Sequence, residues 1–268
     1  MIALTVGSKR TQHIAVVEME GIIGPRMKAG DYGRLFRSLE ENERVRAVVL
    51  DVDSPGGSAS ASDYLYMAVQ SLASKKPVIS FIRGTGASGA YFFSCAAHKI
   101  VAIPSALVGS IGVISMRPLL YEAMDRLSLK VAVTKSDRFK DMGSMFRPPT
   151  EEEQQKEQEL VDDLYDQFLE VVMKGRNMTR EQARAVATGE VFTARKAKEM
   201  GLVDELGDLD RAIDIAAELG NVPRKPVWVR PKRGLRDVLT SLAASAFVSE
   251  LAAQLEERLQ ARVYYQRL

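Results

Sequence analysis

The stretch VRAVVLDVD (45–53) is almost continuously apolar and rich in valine. A strand of that composition is covered on both faces, which is the mark of a parallel sheet sandwiched between helices. HIAVVEMEGII (13–23), ended by Gly24-Pro25, and PVISFI (77–82) read as strands of the same kind. Between them, residues 31–43 place Leu35, Phe36 and Leu39 at helical spacing, with Asp31 as the expected cap. Ser60 to Leu72 reads as a second helix. KIVAIP (99–104), VGSIGVIS (108–115) and LKVAVTKS (129–136) are expected strands, with MRPLLYEAMDRL (116–127) as a helix among them. This alternation predicts an α/β fold with a largely parallel sheet. In such sheets functional residues gather in loops beyond the carboxyl ends of the strands. DSPGGSAS (53–60) and GTGASG (84–89) are two such loops.

From Thr150 a long helix is expected. Thr150 and Glu153 have capping-box spacing, acids crowd the first turn, and Leu160, Leu164, Phe168 and Val171 mark the stripe to be buried. Residues 178–220 read as three short helices separated by glycine turns. NVPRKPVWVRPKRGLR (221–236) then breaks the pattern with three prolines, six basic residues and no acid, as a linker or a final edge strand. Residues 237–263 carry a one-sided leucine pattern, expected to pack on this chain or a neighbouring subunit. The alternative is peripheral contact with a membrane through residues 224–263. The domain organisation expected is therefore a core at 1–220 and a basic linker with an amphipathic helix at 221–268.

Composition narrows the classes of function. A net charge of +2 gives no reason to propose nucleic acid as a partner. The single cysteine, Cys95, excludes an internal disulfide and any multi-cysteine metal site, and reads as a small core residue. Two histidines, His13 and His98, are too few for a histidine-rich metal centre, so no metal or cofactor is expected. MIALTVGSKR at the N-terminus reaches charge too soon for a signal peptide or a membrane span. The expectation is a soluble chain, cytoplasmic or peripheral to a membrane, unless an N-terminal anchor lies outside this sequence.

Within GTGASGAYFFSCAA (84–97), Ser88 sits between Gly86-Ala87 and Gly89-Ala90, where an apolar strand gives way to a helix. Small neighbours allow a sharp turn that leaves the hydroxyl uncovered, the logic of a nucleophile elbow; a plain connecting turn is the rival reading. A hydroxyl nucleophile needs a base. His13 begins a strand and His98 lies at the far end of the helix, so neither is placed to serve. A lysine whose pKa is lowered by burial can accept the proton instead. The segment KSDRFKDMGSMFRPPT (135–150) supplies candidates between a strand and the long helix.

DSPGG (53–57), GTGASGAYFFSCAAHKIVA (84–102), VGSIGVI (108–114) and SDRFKDMGSMFRPPTEEE (136–153) together resemble, in order and spacing, the bacterial signal peptide peptidase A family. The resemblance covers roughly residues 13–217. It implies a Ser-Lys dyad serine peptidase on a ClpP/crotonase-like core of repeated ββα/βαβ units, followed by a helical C-terminal region. It also implies Ser88 as nucleophile, Lys140 as general base, Ser110 as a residue that positions the lysine amine, and the N–H groups of Gly57 and Gly89 as oxyanion hole. Peptides, apolar ones such as cleaved signal peptides, are the implied substrates. Ring-like homo-oligomers with serine and lysine from one subunit are the implied assembly. Asp141, beside Lys140, would keep the amine charged unless its carboxylate points elsewhere, as in an extended segment. Members of the family typically carry an N-terminal membrane anchor, which this sequence does not contain. Two rival functions share the fold: a crotonase-type acyl-CoA enzyme, which needs acidic catalytic residues, and a non-catalytic assembly protein.

Overall fold

The valine-rich strands assemble as their two-sided apolarity requires. The computed structural model describes residues 12–231. In chain order the elements are β1 (His13–Glu20), α1 (Ala29–Glu41), β2 (Val45–Ser54), α2 (Ala59–Ala73), β3 (Val78–Ala87), α3 (Gly89–Ser94), β4 (Lys99–Ala102) and β5 (Leu107–Gly109). They continue with α4 (Tyr121–Arg126), α5 (Glu151–Arg176), α6 (Arg180–Val186), β6 (Val191–Thr193), α7 (Ala194–Glu199), β7 (Glu205–Leu206), α8 (Leu209–Gly220) and β8 (Pro226–Val229). The sheet order is β6-β5-β3-β2-β1-β8, with β4 bridging β3 to β7. Every pairing is parallel except β5 with β6. The architecture is α/β with a largely parallel sheet, as the alternation predicts.

Side chains alternate across this sheet. Ile14, Val16, Ala47, Val49, Ile79 and Phe81 face α8, whose Ala212, Ile213 and Ala216 cover them. Ala15, Val17, Val48, Leu50 and Val52 face the larger core built with α1, α2, α3 and α5. The described residues up to Arg230 lie in one compact unit. The edge-strand reading of the basic stretch holds for Pro226–Val229, which pairs with β1. The helix expected at 237–263, and most of the segment assigned to membrane contact, lie outside the described residues. No helix among the described residues is long and apolar enough to cross a membrane.

Three expectations need correction. The ladder at VGSIGVIS is confined to Leu107–Gly109. The helix expected at 116–127 shrinks to Tyr121–Arg126, since Pro118 disfavours helix at the residue before it. LKVAVTKS forms no strand: its β-branched residues meet no partner strand, and residues 125–138 are exposed throughout. At α1, Asp31 lies in the first turn and pairs with Arg34, while Lys28 occupies the cap position. The capping box of α5 forms as expected, with Glu153 N donating to Thr150 Oγ1 at 3.2 Å and Thr150 N to Glu153 Oε2 at 2.9 Å.

Candidate active site

The site grows out of a fork in β3. Its first half, Ile79–Ile82, pairs with β4, and its second half, Thr85–Ala87, pairs with β5. On the other side the β2 register shifts after Val52, so that Ser54 lies opposite Gly86. The DSPGG loop and the GSIG turn therefore flank the last residues of β3, and Ser88 follows between them. Asp53 ties the loop down by accepting the Thr85 N–H at 2.9 Å, and the fully buried Ser54 hydroxyl accepts the Gly56 N–H at 3.1 Å.

Ser88 has φ 53° and ψ −124°, outside the regions ordinary side chains adopt. Such a conformation costs on the order of 1–3 kcal/mol and persists only where its surroundings enforce it. Here the Ser88 N–H donates to the Gly109 carbonyl at 2.8 Å, and its own carbonyl receives the Phe92 N–H at 2.9 Å. The turn delivers Ser88 to the start of α3, in a cleft of about 1100 Å³. Gly57, Gly89 and Ser110 line the same cleft. Ser110 also has positive φ, 50°, and its N–H donates to the Glu190 carbonyl at 2.6 Å.

The glycine loop is fixed by contact with the β1–α1 connection. Ile23 N donates to Gly56 O at 2.9 Å and Ser58 N to Ile23 O at 3.1 Å, which leaves the Gly57 N–H between them outside any backbone hydrogen bond among the described residues. A Cβ on Gly57 would run into the Ile23 backbone, with its nitrogen at 2.8 Å. The Gly89 N–H, at the first position of α3, likewise has no helical partner. Gly56 packs so tightly beneath it that an added Cβ would sit 2.8 Å from Gly89 N. Two unused donors and a hydroxyl thus border one cleft.

The cleft walls are apolar. Phe92 packs edge-on between Tyr66 and Phe168, at ring separations of 5.3 and 5.0 Å, joining α2, α3 and α5. Ile111, Leu164 and Tyr165 extend that surface. The helical stripe of α5 is thereby divided: Phe168 and Val171 are buried in the core, Leu164 lines the cleft, and Leu160 is exposed. Sequence periodicity marks all four alike, so it misses the cleft residues among the core ones.

Lys140 lies elsewhere. It is exposed and is not among the residues lining the cleft. Its segment is a chain of turns instead of an extended stretch, with N–H donations from Lys140 to Asp137, Met142 to Phe139 and Ser144 to Asp141. Asp141 is turned away all the same, because Lys135 and Arg147 hold its carboxylate and keep its pKa far below the usual carboxylate range. The described chain brings Ser88, Gly57, Gly89 and Ser110 together and leaves Lys140 apart from them. The other nucleophile and base types are accounted for structurally. Cys95 is buried, and burial pushes its thiol up to about 12. His98 accepts the Val78 N–H on Nδ1 at 3.1 Å.

The profile of Peptidase family S49 matches residues 70–223. Over 191 residues the chain is 38% identical to the Methanocaldococcus jannaschii protein MJ0651, covering 71% of this chain and 61% of that one. It is 34% identical to the chloroplastic serine protease SPPA of Arabidopsis thaliana, covering 78% of this chain and 32% of the relative. It is also 34% identical to Protease 4 of Haemophilus influenzae, with 78% and 35% covered. The chain thus spans between about a third and three fifths of these relatives' lengths. In fold it resembles a variant of the 1510-N membrane-bound stomatin-specific protease, with a TM-score of 0.54 at 15% identity over 83% of this chain and 99% of that one. A variant of ClpP1 from Listeria monocytogenes matches with a TM-score of 0.51 at 16% identity over 74% of this chain and 93% of that one. The strained serine turn, the glycine loop beside it and the cleft they share are therefore those of a chain that belongs to peptidase family S49.

Proposed function

We propose that this chain is a serine peptidase that cuts apolar peptides through an acyl-enzyme on Ser88, with Lys140 as general base. The observation that carries the reading is Ser88 itself: a serine held at φ 53° on the rim of an apolar cleft, flanked by N–H groups that no backbone acceptor among the described residues uses. Strain of this kind is retained at reactive positions. In the reaction, the Ser88 hydroxyl adds to the peptide carbonyl while its proton passes to the neutral Lys140 amine. The N–H groups of Gly57 and Gly89 stabilise the oxyanion, a contribution of about 10²–10³ in rate for each such donor. The resulting ammonium protonates the departing amine, and Lys140 then activates the water that releases the acyl group. Ser110, on the same rim, helps hold the lysine amine. The aromatic and aliphatic walls favour peptides with small or apolar side chains, the class to which cleaved signal peptides belong.

Assembly supplies what a single chain leaves open. Ile114, Met116 and Leu127 are 82%, 87% and 69% exposed, and Leu129, Val131 and Val133 are exposed as well. Exposed apolar surface of this kind marks an interface. A homo-oligomer that covers it brings the Lys140 segment onto a cleft and shields the amine from water, an environment that favours an uncharged amine.

The test is hydrolysis of a fluorogenic apolar peptide from about pH 6 to 10, for wild type, Ser88→Ala and Lys140→Ala, with oligomeric state measured alongside. Cleavage by wild type alone, rising with an amine-like pKa, is expected. Undiminished cleavage by Lys140→Ala would remove the lysine from its role. Mixing the two inactive variants distinguishes a dyad built between subunits, which regains activity, from one built within a subunit, which does not.

A further inference from the structure

Resting on the reading of Lys140 as base, we infer that Arg147 is a positioning residue for that lysine: it clasps the Lys140 turn to the first turn of α5 and keeps the Asp141 carboxylate off the amine. The geometry is specific. Arg147 Nε donates to Asp141 Oδ2 at 2.9 Å, Nη1 to Glu153 Oε2 at 2.8 Å and Nη2 to Glu153 Oε1 at 2.5 Å. Two further donations go to the carbonyls of Pro148, at 3.1 Å, and Asp141, at 3.4 Å. A planar guanidinium that spans two carboxylates and two carbonyls fixes the path of the chain in a way a point charge does not.

Glu153 anchors the far end of this clasp. It is 3% exposed, belongs to the α5 capping box, and receives the Thr150 N–H on the oxygen that also binds Arg147. Lys135 closes the near end, donating to Asp141 Oδ1 at 2.5 Å and to the Arg138 carbonyl at 3.1 Å. The other charges on this segment are also committed: Arg138 pairs with Glu152, and Asp137 accepts the Arg138 N–H. Both oxygens of Asp141 are thereby occupied by cations, while no hydrogen bond or ion pair engages the Lys140 amine among the described residues. A carboxylate one residue from a base raises that base's pKa and lowers its neutral fraction. The clasp removes that penalty without removing the residue.

The experiment is the pH profile of kcat and KM for apolar-peptide hydrolysis, on the full chain, with Arg147→Ala, Arg147→Lys, Asp141→Asn and the Arg147→Ala/Asp141→Asn pair. Arg147→Ala frees Asp141 Oδ2, leaving Lys135 on Oδ1, and the rising limb of kcat is expected to move up by about one pH unit, a roughly tenfold loss at neutral pH that returns at high pH, with KM unchanged. Asp141→Asn alone moves the limb by much less, and in the double variant the limb returns towards its wild-type midpoint. Arg147→Lys, which reaches one carboxylate at a time, recovers part of the loss. A wild-type limb in Arg147→Ala, or a pH-independent loss that Asp141→Asn does not relieve, overturns the inference. Should Arg147→Ala fail to fold, Arg147→Lys and Asp141→Asn carry the same comparison through their limb positions. Lys140→Ala separates the two levels: if it keeps wild-type activity the base assignment itself fails, whereas if it is inactive and Arg147→Ala keeps the wild-type profile, only the clasp fails.

Discussion

The Ser88 turn and the Lys140 turn are built to opposite rules. Around Ser88 the backbone is fixed by hydrogen bonds: Gly109 and Phe92 hold the serine, and Ser54 and Ile23 hold the glycine loop. The walls are core residues, and an added methyl group has nowhere to go. The segment that carries Lys140 contributes no strand, is exposed over residues 125–138, and is held by ion pairs at its base while Leu129, Val131 and Val133 face solvent. On the proposed reading, a nucleophile with its oxyanion donors can be preorganised by a single chain, because all of it comes from adjacent strand ends. A base whose pKa must fall needs cover, and the surface beside Lys140 is the one that lacks it.

The largest effect that would break this contrast is expected at Gly57. Gly57→Ala drives a Cβ into the Ile23 backbone, which cannot give way as a side-chain tip would. It should lower stability by about 1–3 kcal/mol and activity at least about 10²-fold, because the N–H proposed as an oxyanion donor is pushed out of place. Thermal unfolding and kcat/KM check the two parts. A stable, fully active Gly57→Ala would mean that the loop is not the rigid half of the site.

The next effect sharpens the contrast from the other side. Val131→Ser and Val133→Ser replace exposed residues, so neither should change the thermal stability of the subunit by more than about 0.5 kcal/mol. Together they should weaken self-association, read by sedimentation, and lower activity in proportion to the oligomer lost. Loss of subunit stability instead would show that the segment is already packed.

How much of this is legible in sequence follows the same division. The continuous apolarity of β2 specifies a covered parallel strand, and the small residues around Ser88 allow a tight turn, so the core and the serine turn are both readable. The unusual backbone of Ser88 is not, because serine in itself carries no preference for φ 53°; the strain comes from neighbours on β5 and α3. LKVAVTKS has the alternation of a strand, yet a strand needs a partner that the described residues do not provide. Leu160, Leu164 and Phe168 share one helical period and end up in solvent, cleft and core, a distinction made by what lies opposite each. The clasp of Arg147 is hidden for a similar reason. Nothing in SDRFKDMGSMFRPPTEEE states which of its acids meets which of its bases, and only the turn geometry decides it.

The smallest effect tests, through pH, the anchor of the half that carries Lys140. Arg147, and after it the Thr150 N–H, holds the Glu153 carboxyl down at about 2, against an ordinary 4.5. A carboxylate lowered on folding contributes stability that is complete above its unfolded pKa and is lost as pH falls through the folded one. Unfolding followed from about pH 5 down to 2 should therefore show stability falling across this window in the wild type. Asp141, lowered by Arg147 and Lys135, adds to the same slope. Glu153→Gln keeps the Thr150 cap acceptor and loses the charge, so its slope should be shallower than wild type but not flat, since Asp141 still titrates. Thr150→Ala should shift the whole curve down by about 1 kcal/mol and leave its slope nearly unchanged. Equal slopes in wild type and Glu153→Gln would mean that Arg147 is not drawn to the helix start in solution. The turn carrying Lys140 would then be as unanchored at its base as it is uncovered at its tip.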